Sequence, residues 1–356
     1  MNKKDSNHPI IGICVSEKKS DLDRLIKRRI KHFHERAIFI KFYIEDLDFH
    51  NLRVKGSYME SENKKWKEGE FPFPDVIYLQ SHVDLNIVKR IEEVIGRNVF
   101  NTFTLDKFLE AKLLAEHTVL QPHLPRTQKL ENEVQLQEFL APHKNIFLKP
   151  IYGKVSIGVV RVVSKDTGNI EVFYRQNQNI KREAFHSFKD FWYWFSPNLS
   201  QKKYLMQQGI QTMTIKERAT DIRLNMNKNG KGLWEVSVLL FRIACNTSHL
   251  IPGPLAVIPI RSLTRYYFKN EEIDKMEKSI QTLGFTICEA LDRSGHHMAD
   301  LGLDLGLDQN GHLWIFEVNT LPHPILRVND CSLTRPLEYA YYLASNTDHK
   351  TQPSPN

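Results

Sequence analysis

The stretch from Met298 to Pro322 constrains this chain more than any other part of it. Leu301, Leu303, Leu305 and Leu307 alternate with Asp300, Gly302, Asp304, Gly306 and Asp308, the period of a strand with one buried face. Asp308-Gln-Asn-Gly311 has turn chemistry, and His312 to Val318 reads as the returning strand. With Gln309 and Asn310 as the loop, Asp304 falls opposite Ile315, and Glu317 and Asn319 share its side. A three-residue loop would break that register. Glu317 interrupts the apolar run Leu313-Trp-Ile-Phe-Glu-Val318, where a charge needs a partner. Two carboxylates and an amide oxygen on one face suit a hard cation with oxygen ligands. Asp300 has the same parity and is an alternative first ligand. The alternation would also suit the solvent face of an edge hairpin.

The rest of the chain can support such a hairpin with more than one core. Its 356 residues are 41% hydrophobic and 26% charged, an ordinary globular balance. Pro9–Val15, Ala37–Ile44 and Asp75–Leu79 read as strands, and Asp84 is a plausible N-cap for a helix to Ile95. Strands alternating with helices imply a parallel α/β domain over residues 8–100. The net charge is +7, and much of the basic excess lies between Asp23 and Arg36. Leu25, Ile26, Ile30 and Phe33 recur there at helical spacing, which makes the basic residues the outer face of an amphipathic helix. That face is either simply solvated or open to an anionic partner; no nucleic-acid motif accompanies it, so nucleic acid is not an expected partner. Lys55 to Pro74, polar and rich in Glu, Lys and Gly, reads as an exposed excursion.

Beyond residue 100 the pattern changes. Helices are expected over Leu105–His117, Glu131–Leu140 and Glu271–Arg293, the last burying Ile273, Met276, Ile280, Leu283, Ile287 and Leu291. Strands are expected at Asn145–Pro150, Val159–Val163, Lys203–Met206, Asp221–Met226 and Leu233–Ala244. The tail from Ser345 is polar and reads as disordered. Cys14, Cys245, Cys288 and Cys331 form no metal spacing and read as buried, reduced thiols. The histidines show no ligand pattern. No apolar run reaches the roughly 20 residues of a membrane helix, and the polar start lacks a signal h-region, so a cytoplasmic protein is expected.

Three weaker elements surround the hairpin in sequence. Lys149 ends a strand just before a glycine-bearing turn, Gly153 to Gly158, where backbone N–H groups can approach phosphate. A surface lysine beside a turn would look the same. Arg223 and Arg242 sit on strands of alternating character and could clamp a phosphoryl group or face solvent. Taken in order, the lysine helix, Lys-Pro strand, Tyr-Leu-Met-Gln-Gln-Gly-Ile hinge, Asp-x-Arg strand, arginine strand and Asp…Glu-x-Asn hairpin resemble the ATP-grasp superfamily. The hairpin spacing is similar to that of D-alanine–D-alanine and RimK-like ligases. The Asp-Lys start, the Asp-Ile-Arg strand and the Leu-Gly-x-Asp…Trp-x-x-Glu-Val-Asn ending resemble the YheC/YheD branch, the spore-coat-associated proteins of endospore-forming Bacilli.

The resemblance implies an α/β fold: an N-terminal parallel α/β (pre-ATP-grasp) domain, then an ATP-grasp domain over 101–344 with α+β lobes at 101–205 and 206–344. It implies ATP and magnesium as cofactors, with manganese as the alternative ion. Lys107, Lys149, Gly153, Ser156 and Gly158 would meet the ATP phosphates. Gln207, Gln208 and Ile210 would read adenine, and Asp221 would take the ribose hydroxyls. Arg223 and Arg242 would face the γ-phosphate and an acyl-phosphate, and Asp304, Glu317 and Asn319 would hold the metal. The implied activity is ADP-forming ligation of a carboxylate to an amine or thiol. The alternatives are a non-catalytic nucleotide-binding spore-coat or scaffold protein and a kinase on the same fold. Spore-coat proteins are implied partners, and the forespore or coat an implied second location. Three departures concern the reaction: a glycine loop poorer in glycine and carrying Lys154, a segment 246–255 without a glycine-rich ending, and Pro322-His-Pro in place of Pro-Gly.

Overall fold

The structure, a computed structural model, describes residues 8–16, 20–60, 66–103, 106–152, 157–177, 179–244, 254–265, 268–322 and 331–346. The first sheet is built from β1 (Ile10–Val15), β2 (Ile38–Tyr43), β3 (Leu47–Asp48), β4 (Arg53–Glu60), β5 (Lys67–Pro72), β6 (Val76–Leu79) and β7 (Val99–Phe100). The strands β2-β1-β6-β7 are parallel, because helices make the crossovers: α1 (Ser20–Lys31) and α2 (Leu85–Ile95). Asp84 caps α2 by accepting from the Asn86 N–H at 2.8 Å. Alternation along β1 sends Ile11, Ile13 and Val15 to α1 and Ile10 and Cys14 to α2, so both faces of the sheet are covered.

The polar stretch around Lys55 is not an excursion. β4 and β5 form a hairpin that pairs antiparallel with β2, extending the sheet. Val54, Met59 and Phe71 turn inward while Lys55, Lys67, Glu68 and Glu70 stay out. The charged half of the alternation masked the apolar half. The basic face of α1 also has an exception, since Arg29 is only 2% exposed.

The second sheet has the order β12-β11-β10-β9-β13-β8 among the described residues. Its strands are β8 (Thr127–Leu130), β9 (Asn145–Pro150), β10 (Val160–Ser164), β11 (Ile170–Gln176), β12 (Asn179–Phe185) and β13 (Tyr204–Gln208). After α3 (Lys107–Ala115), helices α4 (Glu133–His143) and α5 (Phe188–Phe195) cover one face, on Ile146, Leu148, Val162, Val172 and Met206. The other face carries Phe147, Lys149, Leu205 and Gln207, which share one parity.

The third sheet is antiparallel and contains β14 (Thr214–Ile215), β15 (Arg218–Lys228), β16 (Trp234–Ala244), β17 (Pro254–Pro259), β18 (Asp300–Leu307) and β19 (Leu313–Asn319). Helix α6 (Asn270–Arg293) buries Ile273, Ile280, Leu283, Ile287 and Leu291 against it; Met276 is only partly buried. Each fully buried aliphatic side chain contributes about 1.5–3 kcal/mol. Gly284 lets the helix approach, because a Cβ there would lie 2.5 Å from Leu224 Cδ2. The last helix, α7 (Arg335–Ser345), returns to the first sheet, where Leu337, Tyr339 and Ala340 join the α1 side of its core.

Cys14 and Cys288 are buried and free, but Cys331 is exposed, because it opens a surface turn rather than facing a sheet. Cys245 and the tail 347–356 lie outside the described residues. Among the described helices none is long and apolar enough to cross a membrane.

Candidate functional site

β18 and β19 form the expected hairpin, but its register differs in two places. Asp308 pairs with His312 around a three-residue loop, with Gly311 at φ 78 donating its N–H to Asp308 O. Leu305 therefore lies opposite Ile315 on the core face. Strict alternation would then send Glu317 into the core with Leu313 and Ile315. A β-bulge at Phe316 prevents this: the pairing shifts by one residue, and Asp304 falls opposite Glu317, where a regular ladder would give Phe316 and the sequence spacing predicts Ile315. Asn319 lies opposite Gly302, and its amide is 3.5 Å from Asp304 Oδ2. The three expected ligand residues do converge, through a bulge instead of a simple ladder.

Arginines from the neighbouring strands meet Asp304. Arg223 pairs with it across β15–β18, and its Nη1 lies 3.0 Å from Asp304 Oδ1. Arg242 Nη2 lies 2.9 Å from the same oxygen. These are ion-pair distances, yet Asp304 Oδ1 and Arg223 Nη1 and Nε lack an aligned hydrogen bond, although buried. Buried charge left so incompletely bonded is suited to an added ligand. Gly302 makes room for the arrangement, since a Cβ would sit 2.6 Å from Arg223 Nη1 and 2.9 Å from Pro322 Cβ. Arg242 also grips Asp221 through Nε and Nη2 at 2.6 and 2.7 Å. Burial opposes the Arg242 charge, but Asp304 and Asp221 outweigh it and raise its pKa. Burial raises Asp221 as well, against the pull of Arg242.

The lysines stand opposite. Asp106 caps α3, accepting from the Phe108 and Leu109 N–H groups, so the helix starts at Lys107. Lys107 Nζ donates to Glu317 Oε1 at 2.8 Å. Lys149 Nζ donates to Gln207 Oε1, and Gln207 donates in turn to Thr127 Oγ1 at 3.2 Å. Burial lowers Lys149 to about 8, with Glu317 pulling the other way and Lys107 adding to the fall. Glu110, one turn after Lys107, is buried and accepts the Val318 N–H at 2.6 Å. Burial and the nearby Glu317 push Glu110 up to about 8. Sequence reasoning missed Glu110; the signal was its place one turn before Leu114, on the buried side of α3. A cavity of about 370 Å³ opens between α3, β13 and β19, lined by Lys107, Glu110, Lys149, Leu205, Gln207 and Phe316, among others.

The segment expected to read adenine runs through β13 to Ile210. Gln208 Oε1 accepts the Arg126 N–H at 3.2 Å, and the Gly209 N–H donates to Asn145 O at 2.9 Å. A Cβ at Gly209 would lie 2.4 Å from Asn145 Nδ2. Ile210, next along, is half-buried. Gly158 has φ 78, a conformation that favours glycine, while Gly153 and Ser156 lie outside the described residues. Asp300 is not available as a ligand. It accepts from Tyr78 Oη and from Asn227 Nδ2 at 2.8 Å, and it lies 3.5 Å from Arg29 Nη2, all buried. Burial raises its pKa, opposed first by Arg29.

Among the described residues no group of three or more His, Cys, Asp or Glu side chains converges as a protein-only metal cage would require. Two carboxylates with one amide instead fit magnesium, which keeps few protein ligands and completes its shell with water and phosphate oxygens. The under-bonded Asp304 oxygen is the observation of this structure that agrees with such an ion.

A family model described as YheC/D-like ATP-grasp matches residues 96–343. The chain belongs to the YheC/D-like ATP-grasp family. Among curated proteins, the endospore coat-associated protein YheD of Bacillus subtilis is 25% identical, with 94% of this chain and 79% of YheD covered. YheC of the same organism is 27% identical, covering 88% of this chain and 90% of YheC. Among solved structures, the VanG D-Ala:D-Ser ligase of Enterococcus faecalis has TM-score 0.58 at 12% identity, covering 96% of this chain and 98% of VanG. The ATP-grasp ligase PsnB, complexed with a minimal precursor, Mg and ADP, has TM-score 0.51 at 14% identity, covering 94% and 98%. At these identities the YheC/D-like chain and the two ligases share a fold.

Proposed function

We propose that this YheC/D-like protein binds ATP with magnesium in the cleft between the second and third sheets and uses it for ADP-forming ligation. The observation that carries the reading is the pairing of Asp304 with Glu317 across the bulged hairpin, with arginines on one carboxylate and Lys107 on the other. Asp304, Glu317 and Asn319 would hold the ion, which when bound supplies positive charge to the phosphate oxygens. Manganese is the alternative ion.

Lys107 now neutralises Glu317, a contact that ATP phosphate would compete for. Lys107 and Lys149 bind phosphate oxygens in this reading, as do Gly153, Ser156 and Gly158. Gln207, Gln208 and Ile210 contact the base. A ribose contact by Asp221 requires its Arg242 pair to loosen, which frees that guanidinium for a phosphoryl group. Arg223 and Arg242 then face the transferring phosphoryl group. A substrate carboxylate attacks the γ-phosphorus and ADP leaves; an amine or thiol next displaces phosphate from the acyl carbon. The names and contents of the ligase neighbours support this class of reaction. The same reading divides the chain near residue 100 and splits the ATP-grasp part near residue 205.

That the relatives YheC and YheD are endospore coat-associated proteins supports a second reading: a spore-coat or scaffold protein that holds nucleotide without turnover, partnered by coat proteins. Calorimetry with Mg-ATP tests the site: the wild type is expected to bind only with magnesium, and Glu317→Ala to lose that dependence. Absence of magnesium-dependent binding in the wild type would sink the ATP reading. Phosphate release that needs both a carboxylate and an amine supports the ligase. ADP formed with a single acceptor, which keeps the phosphoryl group so that no free phosphate appears, indicates a kinase, and binding without ADP formation supports the scaffold.

A further inference from the structure

β19 is the edge of its sheet, so the outward backbone groups of this strand need partners that are not strands. Helix α3 and the short turn Gln121–His123 that follows it supply them. His123 Nδ1 meets Leu313 O at 2.7 Å, and Glu110 Oε1 accepts the Val318 N–H at 2.6 Å. Val318 is the residue between Glu317 and Asn319. Its own side chain is buried in the third-sheet core, so the two neighbours point the opposite way, into the cleft.

The bulge at Phe316 lies immediately before this segment and interrupts the ladder to β18. Residues 317–319 pair with Asp304, Leu303 and Gly302 of β18 in a register offset by one residue from that of 313–315. Glu110 supplies an anchor from outside the sheet, and it is itself fixed. The Asp106 cap starts its helix, and Leu114, one turn further on, is buried in the third-sheet core. Lys107 on the same helix reaches the Glu317 carboxylate, so α3 touches both the backbone and the side chain of the ligand pair.

We propose that Glu110 is a positioning residue, which aims Glu317 and Asn319 by holding the peptide between them. The proposal rests on the reading of that pair as metal ligands under Proposed function. It assigns to Glu110 an acceptor for the Val318 N–H, not a contact with ATP or metal. Glutamine can supply such an acceptor; alanine cannot, and aspartate is one methylene short.

The test is a magnesium titration of ATP binding by calorimetry on the full chain, for wild type, Glu110→Gln, Glu110→Asp and Glu110→Ala. Loss of an outer hydrogen bond to a metal site typically weakens it about 10–100-fold. Glu110→Ala is expected to raise the magnesium midpoint at least about 10-fold, within that range, while ATP affinity at saturating magnesium changes little. Glu110→Gln should restore the wild-type midpoint, and Glu110→Asp should fall between. A lowered melting temperature with an unchanged midpoint overturns the proposal, as does a Gln variant as impaired as Ala. If Glu110→Ala does not fold, an unchanged midpoint in Glu110→Asp overturns it. A wild type with no magnesium-dependent ATP binding sinks the ATP reading and this proposal with it, and is seen before any variant is made.

Discussion

Asp300 and Asp304 lie one helical-turn's count apart in sequence but on one strand, with the same parity and opposite surroundings. Asp300 is 1% exposed and bonded to Tyr78, Asn227 and Arg29, side chains from three other elements. Asp304 keeps a side-chain exposure of 17%, and two arginines face it without full hydrogen-bond alignment. The first environment is closed and joins the first sheet to the third. The second is open and has unspent bonding capacity. Parity alone made the two residues equivalent ligands; what distinguishes them is which other sheet packs above each end of β18.

The comparison can be broken in order of effect. Asp300→Ala leaves Arg29 buried without its carboxylate and should destabilise the fold by about 3–5 kcal/mol, read by urea unfolding. Equal stability in that variant would mean the closed end of β18 holds nothing together. Asp304→Ala should instead lower Mg-ATP affinity about 100-fold, some 3 kcal/mol, with little change in unfolding midpoint. If its main effect is on stability, the two aspartates are not different in kind. Gly302→Ala keeps every charged group but puts a Cβ against Arg223 and Pro322, and should cost about 1–3 kcal/mol. Arg223 would be the group displaced, so binding should weaken along with stability.

Glu110 sharpens the comparison because it is buried like Asp300 and beside the cleft like Asp304. Its pKa is raised from 4.5 to about 8 in the folded protein, so between these values the native state binds more protons than the unfolded one. Its contribution to stability is therefore complete below pH 4.5 and is lost as pH rises toward 8. Relative to Glu110→Gln, the wild type should lose roughly 1 kcal/mol per pH unit from mildly acidic to neutral conditions, measured by denaturant unfolding at each pH. Lys149, lowered to about 8, acts in the opposite sense only above that pH.

What the sequence made legible follows from range. Period-two alternation in β18, the cap at Asp84 and the apolar stripe of α6 depend on residues close in the chain, and all appear in the structure. The bulge at Phe316 does not, because it answers to packing at long range: Ile315 before it and Val318 after it both face the third-sheet core. β11 and β12 escaped notice for a similar reason. β12 is a mostly exposed edge whose charged residues hide its pairing with β11. Arg29 read as one more surface cation of a basic helix, and only its partners near Ser332 and Asp300, far away in sequence, reveal otherwise.

The bulge at Phe316 also divides β19. Leu313, Ile315 and Val318 face the core, while Glu317 and Asn319 face the cleft and α3 holds the peptide between them. One extra residue thus lets a single strand serve both the hydrophobic layer and the cleft, because Ile315 and Glu317, which strict alternation would send the same way, end on opposite sides.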